Sequence, residues 1–398
     1  MRQPGRADRG PWCMSLLGLV AALFVVAACG GGGVSPTPQP VLPAPTTTST
    51  PTPSPTPAPT PTAPPTNFFT PAGSVGAEDR SAILLGDGRV LLVGGRDAAG
   101  HAVATAEFFY PQSGVYKLAH PMAAARLDPT VTALADGRIL IAGGKDETGA
   151  PLASAELFNP AFSNFVDAGS MTNARSGASG FLLRDGRVLV FGGEDAGGTP
   201  MTTAELFDPK TNRFRLAGPL LQARDAYGAT QLSDGSVLLA GGCCAGWTVL
   251  TSMEIFDPAT GFFQSAPSML TARSGATVTE LPNGRVLIAG GVGSAGTSLA
   301  SAELFDAYTA TFRRTGSMNA ARHGMTATLL PNGRVLVAGG AADNSAELYD
   351  SASNSFVATG PMLVHRVGAN ATLLPDGRVF IVGGAAGADA LNAEIYTP

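Results

Sequence analysis

Seven times along the chain an apolar run of four residues ends in Gly-Gly and is preceded by Asp-Gly or Asn-Gly. The first copy, DGRVLLVGG, starts at Asp87; the others start at Asp136, Asp185, Asp234, Asn283, Asn332 and Asp376. Five successive intervals are 49 residues long and the last is 44. Each Asp-Gly or Asn-Gly predicts a two-residue hairpin turn with both central residues at positive φ, which glycine adopts freely and Asn or Asp tolerate. The apolar runs on either side, such as Phe181-Leu182-Leu183 and Val188-Leu189-Val190-Phe191, are then strands a and b. They are apolar throughout instead of alternating, so both sheet faces are covered.

Further along each unit, Ala-Glu-Leu-Phe or a close variant predicts strand c, as at 204–207. Strand d follows and carries an aromatic: Tyr116, Phe165, Phe214, Phe263, Phe312 and Phe356. Strand a begins with small residues, such as Gly177-Ala178-Ser179-Gly180, which fit strands crowding round an axis. A repeat of about 50 residues with four short strands predicts the blade of a β-propeller. Seven a-b-c sets are present but only six d strands follow them. Joined end to end, 393–398 and 65–73 align without a gap on 204–218, and Phe69 takes the place of Phe214. The expected fold is therefore all-β: a seven-bladed β-propeller of four-stranded blades over 67–398, closed by an N-terminal outer strand that leaves fewer free edges.

Residues 1–66 do not share this pattern. Residues 1–28 carry Arg2, Arg6 and Arg9 and then an apolar stretch, 16–28, shorter than the roughly 20 residues a helix needs to cross a bilayer. This predicts a signal peptide. The segment Val26-Ala27-Ala28-Cys29 resembles the lipobox of bacterial lipoproteins. That resemblance implies a lipid on Cys29, attachment to the membrane through it and, with Gly30 in place of Asp, an outer-membrane destination facing the periplasm or the outside. Ordinary signal-peptide cleavage is the alternative. In 35–66 there are 13 prolines and 10 threonines, too few apolar groups for a core, so 29–66 is expected to be an extended spacer reaching up to roughly 100 Å.

Losing 1–28 takes the formal charge from −5 to −7, so nucleic acid is not an expected partner. Of the four cysteines, Cys13 leaves with the signal peptide and Cys29 takes the lipid; Cys243 and Cys244 remain, and no disulfide framework is expected. A monomer is expected.

The Gly-Gly after strand b, the Glu in strand c, the aromatic in strand d and the Arg opening strand a resemble kelch repeats and the kelch-like propeller of the galactose oxidase family, across 67–398. The strand-d aromatics are Phe or Tyr here, where that family commonly has Trp. The resemblance speaks to architecture far more than to activity. It implies that ligands meet the face formed by the d-to-a and b-to-c loops, as expected of loops on a rigid scaffold.

Arg80, Arg126, Arg175, Arg224, Arg273, Arg322 and Arg366 open strand a in all seven units, and Glu107, Glu156, Glu205, Glu254, Glu303, Glu347 and Glu394 stand in strand c. A guanidinium ring could fork onto carboxylate or sulfate, and the resemblance implies acidic-peptide binding. Internal Arg-Glu pairing is the preferred reading, because a feature repeated as often as the blades is explained by the blade. Positions that differ between copies are the candidate ligand contacts: Arg96, His101, Lys145 with Asp146 and Glu147, Asp225, Tyr227, Cys243, Cys244, Trp247, His323 and His365. Cys243-Cys244 fits a strained disulfide beside Trp247 and two buried thiols equally. Asp97, Asp146 and Asp195 each sit two residues past Gly-Gly, where a calcium site is conceivable and a solvated loop start is preferred. No His or Cys spacing resembles a zinc site, so no metal, cofactor or catalytic residue is expected.

The function expected is a non-catalytic binding module for an unidentified protein or glycan, displayed at the cell envelope. A carbohydrate-active enzyme is the alternative. The resemblance implies either an oxidase, needing copper held by two Tyr and two His with one Tyr cross-linked to Cys, or an epimerase with an acid-base set such as His323 and His365. A purely structural envelope protein is the third reading.

Overall fold

The turn at each Asp-Gly is built differently from the expected one. In the computed structural model, which describes residues 67–398 apart from 245, 247 and 386, Gly88 has φ +85° while Asp87 is not among the residues at positive φ. The Gly88 N–H donates to Leu85 O at 3.0 Å and the Leu85 N–H to Arg89 O at 2.8 Å, enclosing a three-residue loop. The Asp87 carboxylate accepts the Arg89 N–H at 3.1 Å, which holds the aspartate in ordinary backbone space and leaves the left-handed step to glycine. The signal peptide, Cys29 and the Pro/Thr-rich segment lie outside the described residues.

Among the described residues, 28 strands form seven four-stranded antiparallel sheets. Blade three shows the plan, with strands a to d at Ser179–Leu182, Val188–Phe191, Ala204–Asp208 and Arg213–Leu216. Blade seven takes Asn370–Leu373, Val379–Val382 and Asn392–Thr397 from the end of the chain and Phe68–Ser74 from its start. Phe69 lies opposite Tyr396 as Phe214 lies opposite Phe207, with ring centroids 5.0 and 4.9 Å apart. The ring is therefore closed as the sequence alignment predicts.

The core lies between blades. Strand b is buried along its whole length in blades such as Val188–Phe191 and Val335–Ala338, and its two faces enter different clusters. Leu189 and Phe191 pack toward blade four, while Val188 and Val190 pack toward Leu140 and Leu157 of blade two. Each such side chain contributes roughly 1.5–3 kcal/mol of burial, which accounts for the unbroken apolar runs. The Gly-Gly pairs serve the same contact from the backbone. A Cβ on Gly94 would overlap the Arg126 carbonyl of the next blade, and the Gly95 N–H donates to that same oxygen at 3.0 Å.

Candidate functional site

All seven repeat arginines are at most 1% exposed, and each guanidinium faces the glutamate of its own blade. The closest approaches run from 2.6 Å for Arg224–Glu254 and Arg366–Glu394 to 3.6 Å for Arg80–Glu107. Arg175 shows the arrangement of the two terminal nitrogens: its Nη1 donates to Gly192 O and Thr203 O, and its Nη2 donates to Thr203 Oγ1 and Glu205. Glu205 also accepts the N–H groups of Thr172 and Asn173, in the loop entering the blade from blade two. These groups are spent on tying the crossover loop to the strands, and none faces solvent for a ligand. Burial pulls the guanidinium of Arg175 below its ordinary value, with the Glu205 charge opposing. Arg80 differs in position: it directly precedes Ser81–Leu84, whereas Arg126 stands four residues before Thr130–Ala133.

The variable positions divide into three groups. Tyr227 is turned between blades three and four. Its hydroxyl donates to Phe191 O at 2.9 Å, its ring stacks on Phe191 and burial pushes its hydroxyl up to about 12, so it packs the scaffold. Cys243 is buried and pairs through its backbone with Asp225, while the Cys244 thiol donates to Thr248 O at 3.7 Å; both are thiols. Trp247 lies outside the described residues. His101 is exposed and stands 3.6 Å from Asp97. Asp97, Asp146 and Asp195 turn a carboxylate oxygen onto the N–H groups of their own loops, as in Asp97 accepting from Ala99 and His101. Glu147 is exposed.

His323 and His365 meet the blade-six loop from two sides. The His323 N–H donates to Gly340 O, and His365 Nε2 lies 2.7 Å from Ala341 O. His323 Nδ1 is 2.8 Å from Ser298 Oγ, its Nε2 is buried without a partner, and burial lowers its basicity.

Arg96, Lys145 and Asp225 belong to a larger charged arc that sequence reasoning did not assemble. Arg96 holds Glu78 at 3.3 Å and Asp79 at 2.9 Å in blade one. Asp128 follows in blade two, its carboxyl pushed up by burial and by Asp79, with Lys145 and Arg96 pulling it down. Lys145 reaches Glu194 of blade three at 3.8 Å. Burial, then the charge of Asp225 in blade four, pushes the Glu194 carboxyl up. The arc thus runs over four consecutive blades on the loop face, half-buried throughout. The same bridge positions in blade five carry Ser274 and Val292, without charge.

A cavity of about 440 Å³ opens on the opposite face, between blades two and three. Its walls include the turn pairs Asp136–Arg138 and Asp185–Arg187, whose charges already satisfy each other at 2.7 and 2.5 Å.

A family model for the Kelch motif matches residues 180–221, which run from strand a of blade three into the loop after its strand d. No curated protein sequence matches the chain. Among solved structures, a fungal alcohol oxidase of the AA5 family, in complex with copper, is similar at a TM-score of 0.68 and 20% identity, over 83% of this chain and 75% of that one. YjhT is similar at a TM-score of 0.55 and 14% identity, over 72% of this chain and 98% of its own. At these identities the likeness is one of fold. The candidate-face tyrosine does not fit a tyrosine-histidine copper centre: the Tyr227 hydroxyl is committed to Phe191 O between blades three and four. The repeated Gly-Gly, the Arg-Glu pair and the closed ring of seven sheets make this chain a kelch-repeat β-propeller.

Proposed function

We propose that the propeller is a non-catalytic binding module that grips a polar ligand, glycan or protein, at the charged arc of blades one to four. The observation supporting this reading is the asymmetry of the arc. Half-buried charges are costly to desolvate, and the fold does not require them, since Ser274 and Val292 make the same backbone bridge in blade five without any. Charges kept where the scaffold works without them point to a partner. Arg96 and Lys145 would supply donors to it, and Asp225 an acceptor. We further propose that a lipid on Cys29 holds the module at the outer membrane, with 29–66 as the spacer.

The test is a glycan array and an envelope-protein pull-down with the full chain, beside the variant Arg96→Ala/Lys145→Ala/Asp225→Asn. The expected result is a ligand captured by the wild type and weakened at least about tenfold in the variant at unchanged melting temperature. Equal capture by both would remove the arc from the reading. For the anchor, the expected result is palmitate labelling of the wild type and none of Cys29→Ser.

A further inference from the structure

Fourteen of the nineteen arginines among the described residues stand in an ion pair. Of the five that do not, one is Arg184, in a turn. The other four are Arg213 and Arg215 on the outer strand of blade three, and Arg313 and Arg314 on the outer strand of blade five, Thr311–Arg314. All four are exposed. Between them stands the outer strand of blade four, Phe262–Ala266, which carries no charge and presents Phe262 with 59% of its surface open. Phe262 packs close to Gly218 of blade three, so the apolar step is continuous with the first arginine pair. Leu216 is equally open beside Arg215.

The outer strands as a set are basic. They carry Lys117, Arg213, Arg215, Arg313 and Arg314 against the single acid Asp167, in a chain whose formal charge is −5. A net-negative protein repels polyanions at long range, so attraction here must be local. Arg313 gives one donor to Asn354 Oδ1 at 3.5 Å; arginines without carboxylate partners otherwise keep their forked donors available for carboxylate, sulfate or phosphate.

We propose that the rim of blades three to five is a second binding surface, for an extended anionic polysaccharide. The polymer lays acidic groups on the two arginine pairs and a sugar face on Phe262. A chain is required because the pairs lie two blades apart on a ring of seven, a convex surface that a flat bilayer cannot touch at both places. Two weak sites joined by one polymer bind far more tightly than either alone.

The probe is heparin, a sulfated uronic-acid polymer, titrated against the full-length chain at several salt concentrations. Wild-type protein is expected to bind, with affinity falling steeply as salt rises. Arg213→Gln/Arg215→Gln and Arg313→Gln/Arg314→Gln are each expected to lose at least about tenfold, because either change breaks the bridge. Phe262→Ala is expected to lose a few-fold with the salt slope unchanged. The loop-face variant Arg96→Ala/Lys145→Ala/Asp225→Asn is expected to bind heparin as the wild type does, which separates the two surfaces. Undiminished binding by the quadruple glutamine variant overturns the proposal. Binding to phosphatidylglycerol vesicles with none to heparin overturns it equally.

Discussion

Arg80 reaches Glu107 from a backbone position three residues nearer its strand than the arginines of the other six blades. Ser81 pairs with Val93 just as Thr130 pairs with Ala142, which places Ala77 where Arg126 stands. The N–H groups of Val75 and Met122 make equivalent bonds, to Leu391 O and Ala104 O, so the loop into blade one is two residues shorter than the loop into blade two. The guanidinium still arrives, donating to Leu92 O at 3.3 Å and Thr105 Oγ1 at 2.6 Å. The fit is looser: the Glu107 contact, at 3.6 Å, is the longest of the seven.

Removing one partner of a buried pair strands the other charge. Arg224→Met is therefore expected to cost about 3–5 kcal/mol. In double-mutant cycles with the matching Glu→Gln changes, the coupling of Arg80 with Glu107 is expected to be smaller than that of Arg224 with Glu254, which lie 2.6 Å apart. Urea denaturation measures both, and equal couplings would mean that the shifted arginine is no less well seated.

Ala226 sits in the left-handed region at φ +48°, at the position that glycine fills in four other blades, as Gly177, Gly275, Gly324 and Gly368. An alanine there bears the Cβ clash with its own carbonyl, and the Gly275 N–H holds it in place at 2.6 Å from Ala226 O. Ala226→Gly is expected to stabilise the fold by about 0.5–1 kcal/mol after the added backbone entropy of the unfolded chain is counted. A lower urea midpoint in the variant would show that the strain is already relieved elsewhere.

The architecture was legible in the sequence because the packing between blades repeats. Phe69 could be placed against Tyr396 from an alignment, since every other blade supplies the same aromatic contact. Residue type placed Arg80 before its strand and opposite Glu107, where it stands, but not its three-residue offset, because pairing register decides that and a loop shortened by two residues leaves no mark in composition. Tyr227 read as a ligand contact because it varies; it varies because its ring fills the space over Gly192, where a Cβ would overlap its hydroxyl. Asp79 and Asp128 were missed although a signal existed: they occupy the left-handed position that is glycine in four other blades, and so put side chains at the loop face where most copies have none. Glu194 joins them only through Lys145 of the neighbouring blade, a contact between blades that no local pattern encodes.

Phe69 is 7% exposed and belongs to the cluster between blades six and seven, with Leu336, Met362 and Tyr396. Phe69→Ala should cost about 3–5 kcal/mol, as for other buried aromatics. Its location at the ring closure adds a kinetic expectation. Amides of Asn392–Thr397, which depend on Phe68–Ser74 for one edge, should exchange faster in the variant than those of Ala204–Asp208. Equal acceleration in both strands would mean that the ring opens as a whole and not at the join.

His323 makes stability depend on pH with a sign fixed by burial. Its imidazole titrates below the ordinary 6.5, because burial desolvates the charged ring, whose Nε2–H has no partner to donate to. The unfolded chain takes up that proton near 6.5 and the folded one only at lower pH. The contribution of the neutral ring is thus fully present above the unfolded value and is lost as pH falls toward the folded one, at up to about 1.4 kcal/mol per pH unit. Asp128 and Glu194 act in the opposite sense, because their carboxyls are pushed up and ionising them costs the fold. The measurement is therefore a difference: urea stability of the wild type minus that of His323→Asn, at pH 7.5 and pH 5. The wild type's advantage should shrink in acid, whereas a difference independent of pH would place the His323 proton in reach of water.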